Sequence, residues 1–231
     1  MNKILGIIGG MGPEATAGLF MKIIKATPAE KDQDHFRIII DSNPKIPDRT
    51  AAILYNGESP IPQLIETAKN LEKLGVHVAG IPCITAHNFI DDIRPAVSYK
   101  ILNALEELNK YITGELPQCD KIGVLCSSGT MKTGLFNRFL SDYEIIYPCE
   151  DTQNNKVMEA IFGKQGIKQG NTGKEPKGLL YEAGIELIKM GAKAIIGGCT
   201  EIPLVLFDGD FEVPFLDPMA VLAKALVDYT L

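Results

Sequence analysis

The sequence predicts an α/β fold of two similar, pseudo-symmetric domains with mainly parallel sheets and an active site in the cleft between them. Three observations predict it. Short β-branched runs alternate with longer helical stretches, two segments recur further along the chain at nearly constant displacement, and a cysteine follows a strand at the matched place in each copy.

The strand runs include "KILGII", "FRIIID", "HVAGI", "KIGVLC" and "KAIIGG". Between them lie stretches such as "PIPQLIETAKNLEKLG" and "GLLYEAGIELIKMG", whose apolar positions recur every three or four residues, as on one face of a helix. Strands that alternate with helices in this way pair in parallel and are covered by those helices. The segment "FGKQGIKQGNTGKEPKG", rich in Gly and Lys, reads as an exposed loop between helices.

The repeat is specific. "EKLGVHVAGIPCIT" (72–85) and "IKMGAKAIIGGCTE" (188–201) each hold a helix end, a capping glycine (Gly75 or Gly191), a buried strand and a cysteine. The glycines are 191 − 75 = 116 apart and the cysteines 199 − 83 = 116. A second pair, "GIIGGMGPEATAGLF" (6–20) and "GVLCSSGTMKTGLF" (123–136), is displaced by 123 − 6 = 117. In α/β folds ligands bind beyond the carboxyl ends of the strands, where Cys83 and Cys199 both fall. Two such domains facing each other would put the thiols on opposite walls of one cleft.

Composition narrows the function. With 231 residues, 45% hydrophobic and 23% charged, the chain has the balance of a folded globular protein. A net charge of −6 offers no extended basic surface, so binding to a nucleic-acid backbone is not expected. The five cysteines show no CxxC pair or regular spacing, which points to free thiols in a reducing compartment. "MNKILGIIGGMGPEA" is broken early by glycine and reads as a first strand, not a signal peptide. No apolar run approaches the roughly 18–20 residues that span a bilayer, and a cytoplasmic protein is expected.

A cysteine at a strand exit that leads into a helix feels the helix's positive end, which can bring a thiol pKa from about 8.5 into roughly the 3.5–7.5 range. Two such thiols on opposite sides of one carbon can remove a proton from one face and return it on the other, inverting a stereocentre. Either cysteine alone reads equally as a small buried hydrophobe, the role left for Cys119, Cys126 and Cys149.

"GIPCITAHNF" resembles the P-C-N-T-A-H segment of the cofactor-independent aspartate/glutamate racemase family, and "GGCTEIPLV" is similar to its G-C-T-E segment. "GIIGGMGPEAT", "NPKIPDRT" (43–50) and "VPFLDPM" (213–219) match as well, so the resemblance runs through nearly the whole chain in order. It implies an amino-acid racemase, for aspartate first or glutamate, that uses no pyridoxal phosphate, other cofactor or metal. Cys83 and Cys199 would be its acid/base pair. It also implies that the last strand and helix return to the first domain, giving domains at 1–98 plus 213–231 and at 99–212.

Arg49 resembles the arginine that holds a substrate carboxylate, a task suited to a guanidinium fork. Lys168 resembles the family's second cationic contact, with Lys164 as its substitute. Thr85, Thr200 and the Ser127–Thr130 turn, which includes Ser128, Gly129 and Thr130, could offer hydroxyls and amides to a carboxylate. Met11 and Gly12 open a helix N-terminus able to do the same, although each of these residues equally suits ordinary capping. Ile84 stands where the family has asparagine, which leaves the choice of amino acid open.

Rival readings remain. "GMGPEA" (10–15) fits a dinucleotide-binding turn and would suit an oxidoreductase, but leaves both cysteines unused. Cys83 and His87, spaced i to i+4, suggest two zinc ligands with no others nearby. A non-catalytic dicarboxylate-binding protein would also fit two domains around a cleft. The expected partner is a small amino acid, with no nucleic acid and no membrane; a homodimer is allowed.

Overall fold

The structure is a computed structural model that describes residues 3–231; Met1 and Asn2 of the N-terminal stretch lie outside the described residues. The chain divides into two compact units. One comprises residues up to Leu108 together with Met219–Leu231, the other Asn109–Pro218.

The first unit holds strands β1 (Leu5–Gly9), β2 (Ile38–Ser42), β3 (Val78–Gly80) and β4 (Lys100–Ile101), all parallel, in the order β2-β1-β3-β4. The second holds β5 (Lys121–Leu125), β6 (Glu144–Ile146), β7 (Ala194–Gly197) and β8 (Phe215–Leu216) in the order β6-β5-β7-β8, again all parallel. Each sheet is the other with its strand numbers advanced by four. Register repeats too: Ile7 pairs with Gly80 and Val124 with Ile196, displacements of 124 − 7 = 117 and 196 − 80 = 116. These match the offsets in the sequence.

The central strands are apolar because helices cover both faces of each sheet. β1, β3 and β7 are buried throughout, whereas the edge strands β2 and β6 are only partly so. Helices Ile61–Lys73 and Lys174–Lys189 lead into β3 and β7. Gly75 and Gly191 follow them with φ of 78° and 98°. Val76 N–H then bonds to Leu71 and Ala192 N–H to Leu187, the six-to-one closure of a glycine-capped helix. In the second unit Leu125, Ile161, Leu180, Leu187 and Ile195 form one buried cluster.

Two expectations about the boundaries are corrected. Strand "VPFLDP" does not return to the first sheet: Phe215 and Leu216 pair with Ile195 and Ile196 of β7. Only helix Pro218–Thr230 returns, and Leu222 and Leu226 pack so closely on Gly80 that a Cβ there would lie 2.9 Å from Leu226. Likewise residues 99–108 belong with the first unit, because Lys100 and Ile101 pair with Val78 and Ala79. The Gly- and Lys-rich segment after Phe162 contains a 3₁₀ turn, Ile167–Gln169, and runs into helix Lys174–Lys189.

Candidate active site

In the first unit, β1 and β3 end side by side. Beyond β1 the chain turns at Gly10, with φ of 97°, and passes so close to Asn43 that a Cβ would stand 2.2 Å from its backbone. Buried Thr16 fixes this turn, accepting from Gly10 N–H at 2.8 Å and donating to the Gly12 carbonyl at 2.9 Å. Met11 is buried, and Gly12 caps helix Pro13–Ala26 without a side-chain acceptor.

Beyond β3 comes Cys83, buried, followed by buried Ile84 and the 3₁₀ turn Thr85–Phe89. Thr85, half-buried, opens that turn. His87 has no exposed surface: its Nδ1 lies 2.9 Å from the Cys83 carbonyl, and its Nε2 3.0 Å from the amide nitrogen of Ala104. An amide can only donate, so Nε2 accepts and Nδ1–H donates to Cys83. Both ring nitrogens are thereby used, which removes the zinc pairing with Cys83. Among the described residues no group of three or more His, Cys, Asp or Glu could hold a metal ion.

Arg49 begins helix Arg49–Leu54, which packs against the turn after Cys83 and is capped by Asp48 through Ala51 N–H. Its Nη1 donates to the carbonyls of Ile46 and Pro47, while Nε is buried and has no partner. A buried guanidinium nitrogen without an acceptor is costly, and suits an anionic ligand.

In the second unit β5 and β7 end side by side in the same way. Gly198 N–H bonds to Leu125, and a Cβ on Gly198 would lie 3.0 Å from Cys126, so the two strand exits touch. Cys199 is half-buried, and its thiol donates to Glu201 Oε2 at 2.8 Å. Thr200 Oγ1 donates to the same oxygen at 3.2 Å. Lys168, in the 3₁₀ turn, pairs with Glu201 Oε1 at 2.5 Å. Lys164 is exposed.

The electrostatics of Cys199 differ from expectation. Burial, and then the adjacent Glu201 charge, push its thiol well above the ordinary range, with Lys168 only partly compensating. No long helix follows to lower it: Ile202–Leu204 is a single 3₁₀ turn. Burial alone would raise Glu201 too, but the thiol's hydrogen bond and Lys168 outweigh it and hold that carboxyl low. In this arrangement Cys199 is a protonated thiol bonded to a carboxylate.

The Ser127–Thr130 turn is capped from within, since Ser127 Oγ accepts from Thr130 N–H and shares a hydrogen bond with Thr130 Oγ1. Ser128, which with Gly129 starts helix Ser128–Lys132, gives its amide to the Met158 sulfur and takes a hydrogen bond from Gln153 Nε2. Gln153 and Met158 are brought there by the π-helical turn Gln153–Met158. Cys126 is buried, the Cys119 thiol meets the Lys121 carbonyl, and Cys149 meets Thr152 Oγ1 with its thiol and donates its backbone N–H to Glu186 Oε1 at 2.8 Å. Glu201 and Gln153 are the polar contributors that sequence reading leaves unassigned, and His87 is the one it casts instead as a rival zinc ligand through its spacing from Cys83; the signal for Glu201 is its place two residues after Cys199.

Two matched parallel sheets, each with a cysteine at the exit of the equivalent strand, define the class: a pyridoxal-phosphate-independent racemase, an isomerase. The sequence profile of Asp/Glu/hydantoin racemase matches residues 8–226, and the chain belongs to that family. It is 30% identical to the broad specificity amino-acid racemase RacX of Bacillus subtilis, over 97% of this chain and 96% of that one. The Picrophilus torridus aspartate racemase superimposes with a TM-score of 0.83 at 28% identity, covering 99% of this chain and 94% of its own. A putative Asp/Glu racemase from Yersinia pestis gives a TM-score of 0.83 at 26% identity, with 99% of both chains covered. No described helix is long and apolar enough to cross a membrane.

Proposed function

We propose that this racemase inverts the α-carbon of an acidic amino acid, aspartate first and glutamate second, by passing the α-proton between Cys83 and Cys199. The observation that carries the proposal is the equivalence of the two thiols, each the third residue after β3 or the second after β7 in sheets of identical order. A thiolate on one face takes the proton and a thiol on the other supplies one, so the configuration inverts without a carrier for the electron pair beyond the substrate's own carboxylate. Arg49, with its unpartnered Nε, and Lys168 are the proposed carboxylate contacts, because cations held near that group stabilise the charge that develops on it. Thr85, Thr200, Met11, Gly12 and the Ser128–Thr130 turn are proposed to complete the substrate shell.

A broader substrate range is the second reading. Ile84 is buried and apolar where an amide was expected beside Cys83, and the Bacillus subtilis relative is named for broad specificity. Five free cysteines fit the proposed reducing, cytoplasmic setting. Assembly as a homodimer belongs to the same proposal, and sedimentation velocity tests it.

Proton NMR of L-aspartate and L-glutamate with the purified protein in D₂O tests the function. The expected result is loss of the α-proton signal together with appearance of the D-enantiomer. A bound amino acid that never exchanges its α-proton would instead indicate a binding protein.

A further inference from the structure

Two-thiol inversion leaves Glu201 without a task, yet its carboxylate is bonded to the reacting sulfur. Oε2 accepts from the Cys199 thiol at 2.8 Å, and Oε1 is paired with Lys168 at 2.5 Å. The side chain of Glu201 is 14% exposed and that of Lys168 is 41% exposed. The carboxylate is therefore fixed in the protein, while the ammonium, at the edge of solvent and over the Phe162 ring at 5.5 Å, has room to turn toward a ligand.

We propose that Glu201 is the proton acceptor that readies Cys199, and that Lys168 leaves Glu201 for the substrate's carboxylate when substrate binds. The proposal rests on the racemase reading above. Losing its counter-ion makes the Glu201 carboxylate more basic just when a thiolate is needed. The Sγ–H bond of Cys199 then breaks and the proton moves to Oε2, leaving thiolate and carboxylic acid. The thiolate takes the α-proton: the Cα–H bond breaks, Sγ–H forms, and Cys83 protonates the carbanion from the opposite face. After product leaves, the Glu201 proton returns through solvent to the Cys83 thiolate, and Lys168 pairs with Glu201 again. For the other enantiomer the cycle runs in reverse: the Cys83 thiol loses its proton to solvent and Glu201 takes one up from solvent, the Cys83 thiolate takes the α-proton, the Cys199 thiol protonates the carbanion, and Glu201 returns its proton to the Cys199 thiolate.

Racemisation rates cannot reveal this asymmetry, because enantiomers have equal energies and kcat/KM must agree in the two directions. Elimination can. With β-chloroalanine the Cα–H bond breaks, chloride leaves with the Cβ–Cl electron pair, and the aminoacrylate hydrolyses to pyruvate and ammonia, with no reprotonation of the α-carbon by the opposite thiol. The experiment measures pyruvate from β-chloro-L-alanine and β-chloro-D-alanine with Glu201→Gln and Glu201→Asp, using Cys83→Ser and Cys199→Ser to show which enantiomer each thiol serves.

Glutamine imitates protonated Glu201, so Glu201→Gln should lose about 10²-fold in elimination from the enantiomer that Cys199→Ser also loses, and keep the other. Glu201→Asp should show a smaller loss on the same enantiomer, which preserves the test if the glutamine variant does not fold. Because Lys168 is released, inhibition by succinate should tighten in Glu201→Gln. Equal losses for both enantiomers, no loss, or weaker succinate inhibition overturns the proposal and makes Glu201 a structural partner of Lys168. Identical enantiomer preferences in the two serine variants would instead overturn the two-thiol reading, and this proposal with it.

Discussion

His87 and Cys83 are joined at the backbone: the imidazole Nδ1–H donates to the Cys83 carbonyl at 2.9 Å, and its other nitrogen holds Ala104. The chain around a candidate acid/base thiol is thus fastened to the start of helix Ala104–Glu115 by a ring with no exposed surface. Burial is the main reason that His87 titrates at about 4, below its ordinary 6.5. A depressed histidine pKa means that the unfolded chain binds the proton first. Stability is unaffected above about pH 6.5 and is lost as pH falls toward 4, by up to about 3 kcal/mol at one pKa unit per 1.4 kcal/mol. Urea melts from pH 7 to 4 should show a shallower decline in His87→Asn than in the unsubstituted protein. Parallel declines would mean that His87 is protonated in the folded state.

Arg49→Lys should damage activity far more than its retained charge suggests. Lysine cannot donate to Ile46 and Pro47 while also offering a planar nitrogen to a carboxylate, as Arg49 can with Nη1 and its unpartnered Nε. The expected loss in kcat/KM corresponds to roughly 1.5–3 kcal/mol, the scale of a charged hydrogen bond. Unchanged steady-state kinetics would assign Arg49 to holding its own loop.

The legible parts of the fold were those carried by local pattern. Gly75, Gly191 and the two cysteines kept one offset because each copy must end a helix, cross a sheet and turn out at the same point; the pairings Ile7–Gly80 and Val124–Ile196 keep it in space. β4 and β8 have two residues each, too few for a period, so the sheet that takes Phe215 could be known only from the pairing with Ile195. His87 suggested a zinc ligand through its spacing from Cys83, while its second partner, Ala104, lies 17 residues on. Burial and then the Glu201 carboxylate, two residues on, reverse the electrostatics expected at Cys199 from strand-exit position alone, and Lys168, which offsets them only in part, reaches Glu201 from 33 residues away.

Ile84→Asn should raise turnover of aspartate relative to other amino acids, because it restores a polar amide beside Cys83 in place of a buried apolar side chain. Competition assays with paired amino-acid substrates measure that ratio. A ratio that stays the same or moves toward apolar amino acids would show that position 84 does not face the substrate.

The central claim is that Cys83 and Cys199 act on opposite faces of one α-carbon, and the most direct measurement is the enantiomer preference of the two single serine variants on β-chloroalanine. A serine hydroxyl keeps the shape of each site but is a far weaker acid than a thiol, so each variant should lose racemisation almost completely. Each should nevertheless still eliminate chloride from the enantiomer served by its remaining thiol. Opposite preferences in Cys83→Ser and Cys199→Ser are the predicted result; the same preference in both, or racemisation by either at the unsubstituted rate, would contradict the account.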